Sequence, residues 1–475
     1  MRILFFTRTF SLYGQDVIDE CAQAERPRRR GIQEGVEAML RRKIESALLA
    51  WKRTKNKQGL LITGARQIGK TSSIEQFAQE HYDSTIKIDF VAQPDAVALI
   101  GGAKDVDDLI VRITALATRP LPDGKTLLFF DEVQRCGDAI TWMRYLANDD
   151  RFDVVYSGSM LGVEAYDFRS LPVGTVDIVE MFPLDFEEFC WANGVDGSLW
   201  AIVADCFESR VSVPDFLNDR FHDLFARYVL VGGMPEAVQT FVATNDTQAM
   251  RARQRSILDT YRADITRYVR DKEHARRIKT IYDAIPAQLN KENQRFIVSG
   301  IDKKQRYDAM ASDFDWLKDA GVALPVNRVT EAVFPLGMSL EKSFFKLYMN
   351  DVGLLFSTFP AADVREILLN AKRINFGHAF ENAVAQELRA HGHENLFYYH
   401  TPKIGEVDFL VEQPLSVEVL PVEVKSGSYS HKHAALDRLM EIANYDIPVS
   451  FVLHRFNVET EPRVFYLPIY MAAFL

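Results

Sequence analysis

Hydrophobic positions first fall into regular order near Val36. Met39, Leu40, Ile44, Leu48 and Leu49 recur at three- and four-residue steps, the period of one helix face, and the pattern stops before Lys52-Arg53-Thr54-Lys55. Short apolar runs then alternate with helical stretches, at residues 60–63, 86–90, 127–130 and 154–156. Strands separated by helices build βαβ units and a parallel sheet. From about 179 to 271 the strand runs give way to helical patterning. Residues 272–345 read as a small, mainly helical segment, with Ile278, Ile281, Ile285 and Leu289 at helical spacing, and from Phe376 mixed α/β patterning returns. There is no internal repeat and no low-complexity tract.

Composition narrows this α/β picture. At roughly 150 residues per domain, 475 residues suggest about three domains. The net charge of −10 argues against wholesale coating of nucleic acid but leaves room for a local basic face. Cys21, Cys136, Cys190 and Cys206 form no CxxC pair and have no partnering histidines, so neither a zinc site nor a disulfide framework is expected and a reducing, cytoplasmic setting fits. No membrane partner is expected. The apolar tail 464–475 is too short for a span and contains Pro468, and Met1 to Phe6 is too short for a signal core. Residues 1–35, with the breaker cluster Arg26-Pro27-Arg28-Arg29-Arg30-Gly31, read as a flexible lead-in; the other reading is an arm that touches nucleic acid.

The first chemical signal is Gly64-Ala65-Arg66-Gln67-Ile68-Gly69-Lys70-Thr71, which matches G-x-x-x-x-G-K-[ST] at every defined position. A strand precedes it, and a helix opening at Ser72 follows. Glycines let the backbone curl so that its N–H groups point at phosphate oxygens at the positive end of a helix. Residues 64–72 are therefore the expected nucleotide cradle, Lys70 bridging the β- and γ-phosphates and the Thr71 hydroxyl binding Mg²⁺. Sixty positions beyond Thr71, the apolar run Leu127-Leu128-Phe129-Phe130 ends in Asp131-Glu132. Asp131 is expected in the Mg²⁺ shell and Glu132 beside the attacking water. The next strand ends in Ser157-Gly158-Ser159, where a hydroxyl either senses the γ-phosphate or merely makes a turn.

These residues, together with Phe182-Pro183-Leu184-Asp185-Phe186-Glu187-Glu188-Phe189, Gly232-Gly233-Met234-Pro235-Glu236-Ala237 and Leu347-Tyr348-Met349-Asn350-Asp351-Val352-Gly353, resemble a prokaryotic AAA-type ATPase family of unassigned biology. The resemblance runs from about Met39 to the end. It implies an ATPase core at 36–178, a helical lid at 179–271 and a winged-helix-like connector at 272–345. ATP and Mg²⁺ are the implied cofactors. AAA-type enzymes often borrow an arginine from a neighbouring copy; Arg169, Arg227, Arg262 and Arg267 all remain candidates, and self-association stays open with them.

Two further stretches bear on partners. Residues 251–279 hold ten Lys or Arg against four acids, which marks either a DNA-facing helix surface or a plainly solvated one. Nearer the end, Glu406-Val407-Asp408-Phe409-Leu410-Val411 and Pro421-Val422-Glu423-Val424-Lys425 read as two strands. Residues two apart on a strand share a face, so Glu423 and Lys425 project together. Asp408 and Glu423 are expected to hold Mg²⁺ with Lys425 beside the reacting phosphate, and Glu381 completes the shell. Asp followed by Glu-x-Lys resembles the PD-(D/E)XK nuclease superfamily, although Val407 stands where its proline is usual. The fold expected for 346–475 is thus a restriction-endonuclease-like α/β domain. ATP hydrolysis coupled to acting on DNA is the leading expectation; the alternative is a nucleotide-gated DNA- or protein-binding regulator with a silent nuclease-like domain.

Overall fold

The computed structural model describes residues 39–475 apart from 55–57, 118–120, 147–148, 150, 160–175, 292–293, 302–305, 360–376, 414 and 428–430. The expected lead-in at 1–35 and Arg169 lie outside the described residues. The chain divides between Phe182 and Pro183 into two compact units.

In the first unit, α1 (Ile44–Arg53) precedes β1 (Gly59–Thr63), and α2 (Lys70–His81) leads to β2 (Ser84–Asp89). After them come α3 (Asp95–Gly101), α4 (Val106–Thr114), β3 (Thr126–Asp131), α5 (Gly137–Leu146), β4 (Asp153–Ser157) and β5 (Val176–Glu180). The strands form one five-stranded sheet in the order β2-β3-β4-β1-β5, with every pairing parallel. All six residues of β3 are buried, which is why its sequence is a continuous apolar run. Phe130 of β3 stacks between Phe90, just past the end of β2, and Tyr156 of β4, with ring centroids 6.2 and 5.3 Å away. Helix starts follow local chemistry. The Asp105 carboxylate accepts from the Asp108 N–H at 2.8 Å and so caps α4, whereas α2 opens directly after Gly69 at φ +94°.

The second unit begins with α6 (Phe186–Ala192), whose Asp185 and Glu188 form a reciprocal capping box. There follow α7 (Gly197–Ser209), α8 (Asp215–Val231), α9 (Pro235–Thr244), α10 (Thr247–Tyr268) and α11 (Lys272–Leu289). The remainder is α12 (Ala311–Asp319), β6 (Ala323–Val329), β7 (Leu340–Met349), α13 (Val352–Ser357), α14 (Gly377–Ala390), β8 (Leu396–Thr401), β9 (Gly405–Gln413), β10 (Glu418–Val424), α15 (Ala434–Met440), β11 (Ser450–His454), β12 (Glu459–Thr460) and β13 (Val464–Pro468). The eight strands form a mixed sheet in the order β12-β13-β11-β10-β9-β8-β6-β7.

A turn at Gly232-Gly233 fixes the helices to one another. A Cβ on Gly233 would lie 2.0 Å from the Leu184 carbonyl, so this close approach requires glycine. The buried Asp351 carboxylate accepts from the Gly233 N–H at 2.5 Å and the Leu354 N–H at 2.9 Å. The helices expected as an ATPase lid share a compact unit with the C-terminal sheet. Phe186 N–H and the Tyr228 hydroxyl donate to Glu387 of α14 at 2.9 and 2.8 Å, and the Tyr470 hydroxyl donates to Asn218 of α8 at 2.8 Å.

The expected winged-helix-like connector is not a separate module here. Its β6 pairs parallel with β8, and β7 completes that edge, so both strands extend the C-terminal sheet. A two-stranded hairpin alone is marginal in water, and a third strand removes that weakness. The expected divisions at 178/179 and 345/346 accordingly fall inside β5 and β7.

Candidate functional site

The phosphate loop closes between β1 and α2. Gly64 has φ +132°, and a Cβ there would meet the Met181 carbonyl at 2.2 Å. Arg42 braces the loop, its guanidinium donating to the Ile68 carbonyl at 2.6 Å and the Phe182 carbonyl at 2.7 Å. The buried Lys70 folds back on the loop, its ammonium donating to the Gly64 and Ala65 carbonyls at 3.0 and 2.6 Å. Burial lowers its pKa to about 8, against the opposing pull of Glu132 and Asp131.

The parallel register sets β3 beyond β4, so Asp131 comes to face the loop. The Thr71 hydroxyl donates to both Asp131 oxygens, at 3.1 and 3.0 Å, and the Ser157 hydroxyl donates to the same carboxylate. Threonine hydroxyl beside carboxylate is the oxygen donor set that Mg²⁺ takes in nucleotide sites. Glu132 follows in the left-handed region at φ +53°, a conformation uncommon outside glycine and often found at functional sites. Its carboxylate accepts from the Ser159 hydroxyl at 3.0 Å and the Gln134 amide at 2.5 Å, with the Arg66 guanidinium 3.9 Å away.

Two groups here escaped the sequence reading, Lys87 and Gln134, whereas Arg66 belongs to the expected cradle. Lys87 of β2 lies 3.3 Å from Asp131 and 2.7 Å from Glu75. Gln134 and Arg66 share the grip on Glu132. The readable signal for Lys87 was a lysine within the apolar strand that pairs with the carboxylate strand; Gln134 gave none.

The second centre lies on the C-terminal sheet. Glu381 on α14, Asp408 on β9 and Glu423 near the end of β10 are the carboxylates expected to converge on a metal with Lys425; Glu406 of β9 joins them unexpected. The structure brings the cluster together, but around a lysine. Lys346 of β7, almost wholly buried, has its ammonium 2.8 Å from Glu406, 3.4 Å from Glu381 and 3.7 Å from Asp408. Glu381 also accepts from Tyr348 at 2.8 Å and from Gln294 at 2.8 Å. Lys425 reaches Glu423 at 2.6 Å, and Asp408 accepts from the Val424 N–H at 2.8 Å. Burial pushes the Asp408 carboxyl well above the usual carboxylate range, with Glu423 and Glu381 adding to it and Lys346 opposing. Burial likewise raises Glu423, against the opposing Lys425. Burial works against the Lys346 charge, yet Tyr348, Glu381, Asp408 and Glu406 more than offset it, so its pKa stands well above that of a free lysine. Among the described residues, no group of three or more His, Cys, Asp or Glu side chains is arranged to hold a metal. Lys346 had a legible signal, a charge inside the apolar run Phe344-Phe345-Lys346-Leu347-Tyr348-Met349.

The basic stretch on α10 and α11 is partly committed to the fold. Arg251 is buried and donates to the Ser357 and Phe359 carbonyls, Arg262 pairs with Asp283 at 2.8 Å, and Arg277 pairs with the fully buried Asp313. Arg253 meets Glu236 at 2.9 Å. Arg255, Arg267, Lys272, Arg276 and Lys279 are exposed. Near β7, the Arg295 and Arg328 guanidinium groups lie 3.9 and 3.7 Å from the Phe344 ring centroid.

A parallel sheet in which β4 separates the phosphate-loop strand from the carboxylate strand, with Thr71 bonded to Asp131, defines an AAA-type P-loop NTPase domain. Residues 56–190 match the AAA domain family AAA_14, and 222–363 and 376–470 match two domains of unknown function, DUF8612 and DUF4143. No curated protein matches the chain. Among solved structures, the Aeropyrum pernix ORC1 protein in complex with DNA is similar at 10% identity and a TM-score of 0.29, over 70% of this chain and 95% of that one. The Thermotoga maritima RuvB Holliday junction branch migration motor is similar at 16% identity and a TM-score of 0.26, over 66% and 89%. Overlaps at these scores carry no argument about this chain. No helix among the described residues is long and apolar enough to cross a membrane.

Proposed function

We propose that the chain is a magnesium-dependent ATPase whose nucleotide cycle is coupled to DNA binding by the second unit. The observation that carries the ATPase reading is the convergence of Lys70, Thr71, Asp131 and Glu132 on one loop. Lys70 exchanges the Gly64 and Ala65 carbonyls for phosphate oxygens when a triphosphate enters. Thr71 and Asp131 hold the magnesium ion, which neutralises phosphate charge. Glu132 orients the attacking water once it leaves Ser159 and Gln134. The exposed face of α10 and α11, with Arg255, Arg267, Lys272, Arg276 and Lys279, supports DNA as the partner.

The test is phosphate release by the purified chain with Mg²⁺ and ATP, with and without duplex DNA. Turnover that vanishes in Lys70→Ala and changes with DNA supports the reading. Turnover indifferent to DNA would favour an ATPase that remodels a protein partner, and wild-type protein with no turnover at all would sink the enzyme reading.

A further inference from the structure

The sequence sets Asp408, Glu423 and Glu381 in the pattern of a metal-dependent nuclease, but the side chains do not fit a divalent ion. A divalent cation in such a centre sits where the carboxylates converge. Two of those carboxylates, Glu381 and Asp408, together with Glu406, instead face the Lys346 ammonium, which lies within 4 Å of all three. Lys346 is fixed there. It comes from the middle of β7 with both chain neighbours buried, and it is 1% exposed. A second ammonium, Lys425, already sits 2.6 Å from Glu423. A further double charge would face two cations at contact range, with little water to screen them. One carboxylate oxygen, Glu423 Oε2, has no hydrogen-bond partner among the described residues, and a single open oxygen does not make a cation cage.

We infer that Lys346 is a tethered cation standing in for the divalent metal of the C-terminal carboxylate centre, so that this centre takes up no metal and the domain does not perform metal-dependent cleavage. The carboxylates keep their geometry because the lysine supplies the charge that an ion supplies elsewhere. The role differs from that of Lys425, which touches Glu423 alone at ion-pair distance among the described residues. Removing the Lys346 ammonium while keeping the space it fills leaves three carboxylates facing one hole, and that hole is a metal site.

The test is Mn²⁺ titration of the nucleotide-free full chain, followed by electron paramagnetic resonance, for the wild type, Asp408→Asn, Lys346→Met and Lys346→Arg. Ions bound elsewhere, including near Thr71 and Asp131, appear equally in all four. Wild type, Asp408→Asn and Lys346→Arg are expected to bind the same number of ions, and Lys346→Met one more, which is lost again in Lys346→Met/Asp408→Asn. An ion bound by the wild type and lost in Asp408→Asn would overturn the inference. So would a folded Lys346→Met that gains none. If Lys346→Met does not fold, the comparison of wild type with Asp408→Asn decides alone. A Mg²⁺-dependent nick in plasmid DNA that disappears in Asp408→Asn would also overturn it, whatever the ATPase assays show.

Discussion

Lys70 offers a prediction that follows from its burial. Without nucleotide, its pKa is lowered to about 8, because leaving water costs the ammonium more than Asp131 and Glu132 return. A bound triphosphate places several negative charges on the same nitrogen and returns its pKa to about 10.4 or above, the value of a free lysine. Binding therefore takes up a proton wherever the free loop is deprotonated. The sign follows: affinity for Mg·ATP is full well below pH 8 and falls as pH rises through 8. For a free-state pKa of about 8, affinity drops about eightfold from pH 7.5 to 9 and about 25-fold by pH 9.5, or roughly 1.3 and 1.9 kcal/mol. The second phosphate ionisation, near 6, is complete across this range and adds no slope. Calorimetric titration in two buffers of different ionisation enthalpy measures both the affinity and the proton uptake. Lys70→Arg, whose guanidinium stays charged, is expected to show a flat profile. A wild-type affinity that is constant from pH 7.5 to 9.5, with no proton uptake at pH 9, would refute the reasoning.

Glu132→Gln is expected to keep Mg·ATP binding and slow single-turnover hydrolysis by roughly two to four orders of magnitude, because the amide cannot polarise water. An unchanged rate would place the base elsewhere. For Asp351, burial raises the pKa to about 6 despite the N–H groups of Gly233 and Leu354. Its contribution to stability is full below the unfolded value near 3.9 and is lost as pH rises through 6, a difference of about 3 kcal/mol. Urea unfolding of the wild type against Asp351→Asn between pH 4 and 7 measures it, and identical pH slopes would contradict the assignment. If α10 and α11 contact DNA, reversing Arg276 and Lys279 to Glu weakens binding to all sequences alike and reduces the salt dependence of affinity. Arg277 is the wrong choice for that experiment, since its loss would leave the buried Asp313 with His274 alone, at 2.7 Å, as its ion-pair partner among the described residues.

The parts legible from sequence were those whose chemistry is local. The phosphate loop, β1 and β3 announce themselves because a buried parallel strand must be apolar throughout and the loop must be rich in glycine. β5 escaped because it is an edge strand whose Ile178 is 53% exposed and which includes Asp177 and Glu180, so it carries no apolar run. The partnership of β6 with β8 escaped for another reason. A parallel pairing across some seventy positions, with α14 between, leaves no local trace, and residues 272–345 therefore read as a module of their own. At the C-terminal centre the acids were readable from strand periodicity. Lys346 was not expected because it stands on β7, which the sheet order separates from β9 by β6 and β8.

The brace at Arg42 has a mechanical meaning. One planar, rigid group holds the Ile68 carbonyl, inside the phosphate loop, and the Phe182 carbonyl, at the last residue of the nucleotide unit. The carbonyl of Met181, one position earlier, packs against Gly64, where the loop begins. The end of this unit is thus held to the loop at two places, once by the Arg42 guanidinium and once by the close approach of the Met181 carbonyl to Gly64. A displacement of the loop would therefore bear on the backbone of residues 181–182, where this unit ends. The phosphate loop and the last residues of its own unit are, in this sense, one part.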